Sequence, residues 1–303
     1  MFSAQLVNEQ ASWDEIRSVL ETMERGRWHG LYAYDHFIPP WHRTAEVLEH
    51  ELLPTLEGWS LIAAAAAVTS RLELGVLVSG NTYRNPALLA KMAATIDVIS
   101  HGRVVLGIGA GWNIREHEAY GWDFPSLRER SDRLEEACDL IRRLFHAEGR
   151  IDFDGRYYRA KQAAFAPRQG GERAIPIMVG GTGEQRTLRT LARHGDIMNV
   201  IASPARVRQL GEVLARHCEA IGRDPAEIKR TVHVPIRVVH DDAKAQRLRG
   251  DNAWSMIGSP AYVIDRIADY RAAGVTEFIP QVRPQRPEVY QELDETVFAA
   301  FDA

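Results

Sequence analysis

Cysteine is almost absent from this chain, which has only two such residues, Cys138 and Cys218, among 303. Neither has a CxxC or CxxH neighbour, so the sequence contains no zinc-binding or dithiol motif of that kind. The two residues lie far apart in sequence, inside amphipathic helical patterns. We therefore expect them to be reduced core residues of a cytoplasmic protein.

Long apolar runs and blocks of one charge are also missing. The alanine run at residues 63–67 is too short to cross a bilayer, and the first residues lack the basic region and long apolar core of a secretion signal. The 37 basic and 41 acidic side chains give a formal charge of −4, and no five like charges stand together. We therefore expect a small-molecule partner and neither a nucleic acid nor a membrane.

Several catalytic signatures are absent as well. The sequence has no HExxH motif and no HxH pair after the first predicted strand, so we expect neither a metal-dependent hydrolase nor metal ligands. It also lacks a GxSxG nucleophile elbow. A glycosidase-like carboxylate pair would have to use Asp35 and Glu57, and it would leave the glycine-rich turns described below without a purpose.

The chain does contain a regular alternation of short β-rich runs and helical patterns. Eight candidate strands begin near residues 2, 31, 72, 103, 177, 197, 230 and 277. This alternation is typical of a parallel sheet with crossover helices, and eight strand–helix units favour an α/β fold of the (β/α)8 TIM-barrel type over an open sheet. We expect one domain over residues 1–303.

Two long loops interrupt this pattern. Between Ala147 and Ile175 an Asp154-Gly155 turn indicates a hairpin-like insertion between strands 4 and 5. Residues 37–57, after the second strand, are rich in aromatic residues, prolines and charge, and long rim loops usually shape a pocket. Trp41 in this loop is a candidate substrate-pocket residue. Because such loops vary freely on one scaffold, the identity of the substrate stays open.

The segment from Leu72 to Gly121 contains two apolar strands, each ending in a polar, glycine-rich turn before a helix. Pro86 suits the first turn of the first of these helices, and the second strand ends in a GAGW turn. The segment resembles the luciferase-like monooxygenase superfamily. Within it, the resemblance is to the branch that uses the deazaflavin coenzyme F420, where a [TN]YRxP turn, an ATxDxxSxGR link and a GxGxGW turn follow in this order.

The resemblance extends over nearly the whole chain, through a GSPAYVIDR helix and a GVTEF strand near the end. It implies an enzyme that transfers a hydride between C5 of F420 and a small organic substrate, and commonly a homodimer. Three alternatives stay open: an FMN-dependent monooxygenase that needs reduced flavin and dioxygen, a non-catalytic flavin-binding relative, and a metal-independent barrel hydrolase.

Residues directly after strands are the first candidates for the site, because the carboxyl ends of barrel strands form the active-site rim. Asp35 and His36 follow the second strand, and histidine exchanges protons near neutral pH. The pair resembles the DH motif of the F420 branch, which implies that both contact the cofactor ring and that His36 manages the proton. The alternative is that Asp35 caps a turn and His36 packs under the aromatic loop.

The third strand ends at Leu77 and Val78. In the relatives a bulge with a non-proline cis peptide bond backs the ring at this point, and the resemblance places that bond between these two residues. This chain departs from the family, which often has a small residue in place of Leu77. The alternative is an ordinary strand end with a Gly80-Asn81 turn.

The fourth strand leads into a glycine-rich turn that superficially resembles a dinucleotide fingerprint, but the last glycine of that fingerprint would fall at Trp112. We interpret Gly109 and Gly111 as letting the backbone pass close to a flat cofactor. Trp112 is a candidate for the substrate side of the pocket or a buried rim aromatic. In sugar-phosphate-oxidising relatives an acidic residue near this position assists proton transfer, so Trp112 makes a sugar phosphate a poor candidate substrate.

A second glycine-rich turn, Gly180-Gly181-Thr182-Gly183, stands between a strand and a helix. Free amides at a helix start make an anion site. The stretch resembles the family pattern GGxGxxxTLRxxARxxDxxN, which implies that the turn holds the phosphate of F420 or FMN. The alternative is a structural turn with Thr182 as a cap. Asn199 completes the pattern and is a further pocket candidate.

Glu57 stands at the start of the helix before the third strand, in a pattern similar to the E-x-W of the relatives. It is a candidate second proton donor. A glutamate in the first helical turn is favourable in any helix, which is the alternative explanation.

Overall fold

A computed structural model describes residues 1–40, 52–167, 174–252 and 254–302. Trp41 and most of the loop that contains it lie outside these ranges. The strands are β1 (Ser3–Leu6), β2 (Gly30–Ala33), β3 (Glu73–Val76), β4 (Ser79–Gly80), β5 (Val104–Gly109), β6 (Arg150–Asp154), β7 (Arg159–Ala164), β8 (Ile177–Gly180), β9 (Ile197–Val200), β10 (Lys229–Val232), β11 (Pro235–Val238), β12 (Met256–Gly258), β13 (Glu277–Phe278) and β14 (Gln281–Val282).

Helices alternate with these strands. They are α1 (Trp13–Arg25), α2 (Gly58–Val68), α3 (Pro86–Ile99), α4 (Ile114–Tyr120), α5 (Leu127–His146), α6 (Thr187–His194), α7 (Pro204–Glu219), α8 (Asp242–Arg249), α9 (Pro260–Ala272) and α10 (Pro287–Thr296). Short 3-10 turns lie at Pro225–Glu227 and Phe298–Phe301. No helix in the described ranges is long and apolar enough to cross a membrane.

The large sheet is parallel and curled, and its strand order follows the chain. β1 pairs with β2, β2 with β3, and the pairing continues through β5, β8, β9 and β10. Residues 277–282 then pair with β10 on one side and with β1 on the other, so the sheet returns to its first strand. The predicted TIM-barrel fold is confirmed, and each predicted strand start lies within one residue of the observed one.

Two clusters of buried apolar residues pack against the two faces of this sheet. A small cluster fills its inside, and a larger cluster lies between the strands and the helices. β5 is buried at every position, as expected for a parallel strand covered on both faces. The inner cluster contains Tyr32, Leu77, Val105, Met178, Ile197 and Ile279.

Three helices that follow rim loops begin with the same pair of residue types, a capping side chain and then a proline. Asn85, Ser203 and Ser259 each cap a helix with a side-chain oxygen, and each is followed by proline. A capping oxygen satisfies a free amide, and proline has no amide to satisfy. The predicted place of Pro86 in the first turn of its helix is confirmed.

The insertion between strands 4 and 5 contains an antiparallel hairpin, β6 with β7. The Gly155 amide donates to the Tyr158 carbonyl at 3.0 Å, so the turn lies where the sequence predicts it. Residues 168–173 of the same insertion lie outside the described ranges.

Two features were not predicted. The seventh strand is divided into β10 and β11 by His233 and Val234, and β12 pairs in parallel with β11.

Cys138 and Cys218 are buried and form no disulfide, as predicted.

Candidate active site

A cavity of about 410 Å³ lies at the carboxyl ends of the strands, above the inner apolar cluster. Most of the predicted site residues meet there, although they come from five different loops. The predicted residues that line it are Asp35, His36, Leu77, Val78, Gly109, Gly111, Trp112, Gly180, Gly181, Thr182 and Asn199. Glu57 and Gly183 are not among the lining residues.

The peptide bond between Leu77 and Val78 is cis, at the position that the family resemblance implies. It stands between β3 and β4, and both residues line the cavity. A bulge therefore replaces the ordinary strand end that was the alternative.

The glycines of the neighbouring strands leave room for the Val78 side chain. A Cβ atom on Gly109 or on Gly180 would lie 2.9 Å from Val78 Cγ2, closer than real side chains approach. These two positions therefore accommodate a side chain of the protein itself. The predictions that Gly109 lets the backbone pass close to a flat cofactor and that Gly180 belongs to a phosphate-binding turn stay predictions, and both residues border the cavity.

The strongest interaction around His36 comes from a residue that sequence reasoning missed. Glu116, in α4, is completely buried. Its Oε2 lies 2.9 Å from His36 Nδ1 and accepts from the Tyr83 hydroxyl at 2.6 Å, while Oε1 accepts from the Phe37 amide at 2.7 Å. Three elements of the rim are thereby connected through one carboxylate.

These contacts fix the charge of Glu116 and the tautomer of His36. Burial alone would raise the pKa of Glu116, but the hydrogen bonds from His36, Tyr83 and the Phe37 amide outweigh it, so that this pKa lies below its ordinary value of 4.5. The ionised carboxylate can only accept hydrogen bonds, so His36 Nδ1 carries a hydrogen. Nε2 is the remaining nitrogen, on a side chain that lines the cavity.

Trp112 stands beside this pair. Its ring centroid lies 5.4 Å from that of His36 with an interplanar angle of 73°, an edge-on contact. The residue is 55% exposed, which excludes the alternative of a buried rim aromatic. Trp112 therefore forms one wall of the cavity near its opening.

Asp35 and Glu57 are both bound by Arg84, which comes from the predicted YRxP turn. Arg84 donates to the two Asp35 oxygens at 2.6 and 3.0 Å and to Glu57 Oε1 at 2.6 Å. Burial raises the pKa of Asp35, and the guanidinium opposes this rise. The turn and the second strand end are thus joined by a nearly buried ion pair.

Glu57 also caps α2, since its carboxylate accepts from the amides of Trp59 at 3.2 Å and Ser60 at 2.7 Å. These contacts use both of its oxygens and favour the helix-cap explanation. The role of Glu57 as a second proton donor stays a prediction.

Replacing Arg84 by methionine should lower the free energy of unfolding by about 3–5 kcal/mol, because Asp35 would stay buried without its counter-ion. Urea unfolding measures this change. Arg143→Met is the matched control, since the Arg143–Asp139 pair lies one helical turn apart on the surface and should contribute less than about 1 kcal/mol. Equal losses in the two variants would show that Asp35 does not depend on Arg84.

The second glycine turn, at the edge of the cavity, contains amides without a described partner. The amides of Thr182, Gly183 and Glu184 donate to no other described residue, and Thr182 and Thr187 line the cavity. The residue at the start of α6 is Arg186 and no side chain caps this helix, so the alternative of Thr182 as a cap is wrong. Successive backbone amides without a partner in a turn suit an anion.

Asn199 faces the cavity from the end of β9. Its Nδ2 donates to Thr231 Oγ1 at 2.8 Å, and that hydroxyl donates to the Met198 carbonyl at 2.9 Å. The amide orientation is therefore fixed. The lining residues outside the predicted set include three further polar side chains, Gln5, Thr187 and His233.

Among the described residues, one group of possible metal ligands lies at the opposite end of the strands. His29, Glu73 and Glu277 have ligand atoms within 4.8 Å of one another. Lys229 already pairs with Glu277, and the Tyr32 hydroxyl donates to Glu73 at 2.6 Å. These carboxylates are therefore occupied by partners within the protein.

Comparison with known proteins adds the following findings. The family model described as luciferase-like monooxygenase matches residues 2–255. The F420-dependent glucose-6-phosphate dehydrogenase of Kineococcus radiotolerans is 34% identical over 237 residues, which cover 76% of this chain and 65% of that protein. The F420-dependent hydroxymycolic acid dehydrogenase of Mycobacterium tuberculosis is 32% identical over 244 residues, which cover 80% and 64%. The matched region thus spans slightly less than two thirds of both relatives.

A solved structure has the same fold. It is an F420-dependent secondary alcohol dehydrogenase in complex with an F420-acetone adduct, and it superposes with a TM-score of 0.84 over 99% of this chain and 98% of that chain. The two sequences are 19% identical, so this likeness concerns the fold alone.

Proposed function

The chain belongs to the luciferase-like monooxygenase family, and on that basis we propose that it is an F420-dependent oxidoreductase that transfers a hydride between the deazaflavin and a small organic substrate. The single observation that carries the proposal is the cavity, which brings together the Leu77–Val78 bulge, Thr182 of the second glycine turn, and His36, whose Nδ1 is held by Glu116. The names of the relatives, which are F420-dependent dehydrogenases, support this choice of coenzyme.

The residues present fit such a coenzyme. We propose that Leu77 and Val78 back its ring, and that the turn from Gly180 to Gly183, with the Thr187 hydroxyl, holds its phosphate. The Gly181 amide donates to the Asn199 carbonyl at 3.0 Å, but the amides of Thr182 and Gly183 donate to no other described residue. Thr187 Oγ1 lies next to Gly183, since it would be 2.7 Å from a Cβ there. An anion would satisfy these donors.

The deazaflavin, when bound, supplies or accepts the hydride at C5. The chain itself handles the proton. We propose that His36 Nε2 gives a proton to the substrate oxygen or takes one from it, while Glu116 holds the Nδ1–H tautomer and the ring orientation. Trp112 borders the same space, with its ring edge-on to that of His36. Asp35 accepts hydrogen bonds from Arg84 and so connects the end of β2 to the turn after β4.

The cavity favours an uncharged substrate. No lysine or arginine is among the described residues that line it. The nearby Arg84 donates hydrogen bonds to Asp35 and Glu57. With the turn after Gly180 assigned to the coenzyme phosphate, the described lining offers no cation to a second phosphate group. We therefore propose a neutral alcohol or carbonyl compound, and we do not expect glucose 6-phosphate to be oxidised.

Parallel titrations of the purified protein with oxidised F420 and with FMN test the proposed function, with fluorescence and thermal shift as readouts. Tight binding of F420 and weak binding of FMN are expected. A preference for FMN, with oxygen consumption on addition of reduced flavin, would favour the monooxygenase alternative. Binding of F420 without turnover of any alcohol or carbonyl compound would favour a non-catalytic relative, and binding of neither coenzyme would contradict the proposal.

Thr187→Val should raise the dissociation constant of F420 about tenfold, because it removes one donor to the phosphate at nearly constant side-chain volume. Fluorescence titration measures this change. Thr95→Val is the matched control, since the Thr95 hydroxyl donates within its own helix to the Lys91 carbonyl. Gly181 is less suitable, because its φ of +129° would strain any side chain. Unchanged affinity in Thr187→Val would remove Thr187 from the phosphate site.

The homodimer that the resemblance implies and the cytoplasmic location stay predictions.

A further inference from the structure

Two buried polar side chains meet the cavity from strands that the proposed mechanism does not use. Gln5 lies in β1, and His233 lies between β10 and β11. Both adjoin the last strand of the sheet, because Gln5 is opposite Gln281 and His233 contacts the Ile279 carbonyl. They therefore approach the same part of the cavity floor from either side of residues 279–281.

Gln5 has a fixed amide and an unused oxygen. Its Nε2 donates to the Leu77 carbonyl at 3.2 Å. Turning the amide over would place two oxygens against each other, so the orientation is determined. Gln5 is 4% exposed, and its Oε1 has no hydrogen-bond partner among the described residues. A buried acceptor without a partner is unfavourable, and native proteins contain few of them.

His233 also has an acceptor nitrogen without a hydrogen-bond partner. One of its ring nitrogens, Nδ1, lies 2.8 Å from the Ile279 carbonyl and must donate to it. Burial lowers the pKa of His233, so the imidazole is neutral near pH 7. A neutral imidazole that donates through Nδ1 has an acceptor at Nε2. No hydrogen bond to Nε2 is found in the described part of the chain.

We propose that Gln5 Oε1 and His233 Nε2 form a hydrogen-bond-accepting subsite that binds an uncharged N–H or O–H donor of the bound molecule. The inference rests on the proposed function, because the two sources of such a donor are the imide N–H of the deazaflavin ring and a hydroxyl group of the substrate. A carboxylate or phosphate would be repelled, since the subsite offers only acceptors.

The test compares the wild type with Gln5→Met and His233→Phe, which remove the acceptors at similar volume. Tyr290→Phe is the matched control, because the Tyr290 hydroxyl is also buried and without a partner but lies away from the cavity. For each variant we would measure the dissociation constant of oxidised F420 and the KM for 2-propanol, or for the smallest neutral alcohol that the wild type oxidises.

Two results support the subsite and identify the donor. A rise of about tenfold in the F420 dissociation constant in both variants would assign the donor to the coenzyme. A rise of about tenfold in KM, with F420 affinity within twofold of the wild type, would assign it to the substrate. If both constants stay within twofold while Tyr290→Phe also behaves as wild type, the subsite does not exist.

A measurement on the intact wild type covers the case in which a variant does not fold. The ¹⁵N resonance of His233 Nε2 should move when F420 or the alcohol binds, and a stationary resonance with both present would overturn the inference.

If the wild type binds FMN instead of F420, the proposed function fails, and the subsite is then judged by the same comparisons with FMN, which carries the same imide N–H. Binding of neither coenzyme would overturn both.

Discussion

Replacing His36 by alanine should lower the turnover number by about 10²–10⁴-fold while the dissociation constant of F420 stays within several-fold of the wild type. His36 is partly buried, with a side chain 12% exposed, and its Nδ1 is held by Glu116. Nε2 is thus the atom that can exchange a proton with a bound molecule. Loss of the imidazole removes this exchange but leaves the Leu77–Val78 bulge and the phosphate turn intact.

Steady-state kinetics with F420 and a neutral alcohol, together with F420 titration, measure the two constants separately. His240→Ala is the matched control, because His240 is an exposed histidine that contacts only Glu292 among the described residues. Its turnover should equal that of the wild type. Unchanged turnover in His36→Ala would remove His36 from the mechanism, and a large loss of F420 affinity would assign it to coenzyme binding instead.

The barrel could be predicted because its signals are local. Apolar runs such as Val104 to Ile108 and the Asn85-Pro86 helix start are read from neighbouring residues. The cis bond at Leu77 has no such local signal, and its position came from the resemblance to a family. Local patterns therefore predict strands and helices, whereas the resemblance to a family predicted the position of the cis peptide bond.

Glu116 could not be predicted in this way, because its partner His36 lies 80 residues away. The only signal is that α4 follows the rim turn at Trp112, which gives no reason to choose Glu116 over Glu118. The packing of α4 against the loop after β2 makes that choice: it buries Glu116 completely and leaves Glu118 exposed.

Gln5 and His233 were within reach of the rim argument, which applies to the first and seventh strands as much as to the others. Their places on these strands mark them as candidates, but which of their atoms can still accept a hydrogen bond depends on partners elsewhere in the chain. The Gln5 amide is oriented by the Leu77 carbonyl, 72 residues away, and His233 by the Ile279 carbonyl, 46 residues away. Distances of this kind follow from the closed sheet and not from any sequence pattern.

Glu116→Gln should also lower the turnover number by about 10²–10⁴-fold, although Glu116 is a positioning residue that acts through His36. A glutamine can donate to His36 Nδ1, which would move the ring hydrogen to Nε2 and reverse the donor and acceptor roles of the imidazole. It also offers one acceptor oxygen in place of two to the Tyr83 hydroxyl and the Phe37 amide. Glu135→Gln, in a carboxylate that pairs with Arg189 and Arg193, is the matched control.

Two further readouts separate positioning from a merely structural effect. In the double variant His36→Ala/Glu116→Gln the loss should hardly exceed that of His36→Ala alone, because the two residues act as a unit. The pKa of Glu116 lies below its ordinary value of 4.5, so its ionised form is present above that pH and is lost only as the pH falls through the lowered pKa. The difference between wild type and Glu116→Gln should therefore persist through neutral pH and be lost only in acid, where Glu116 becomes protonated. Additive losses in the double variant, with equal melting temperatures, would show that Glu116 affects turnover by a route that does not pass through His36.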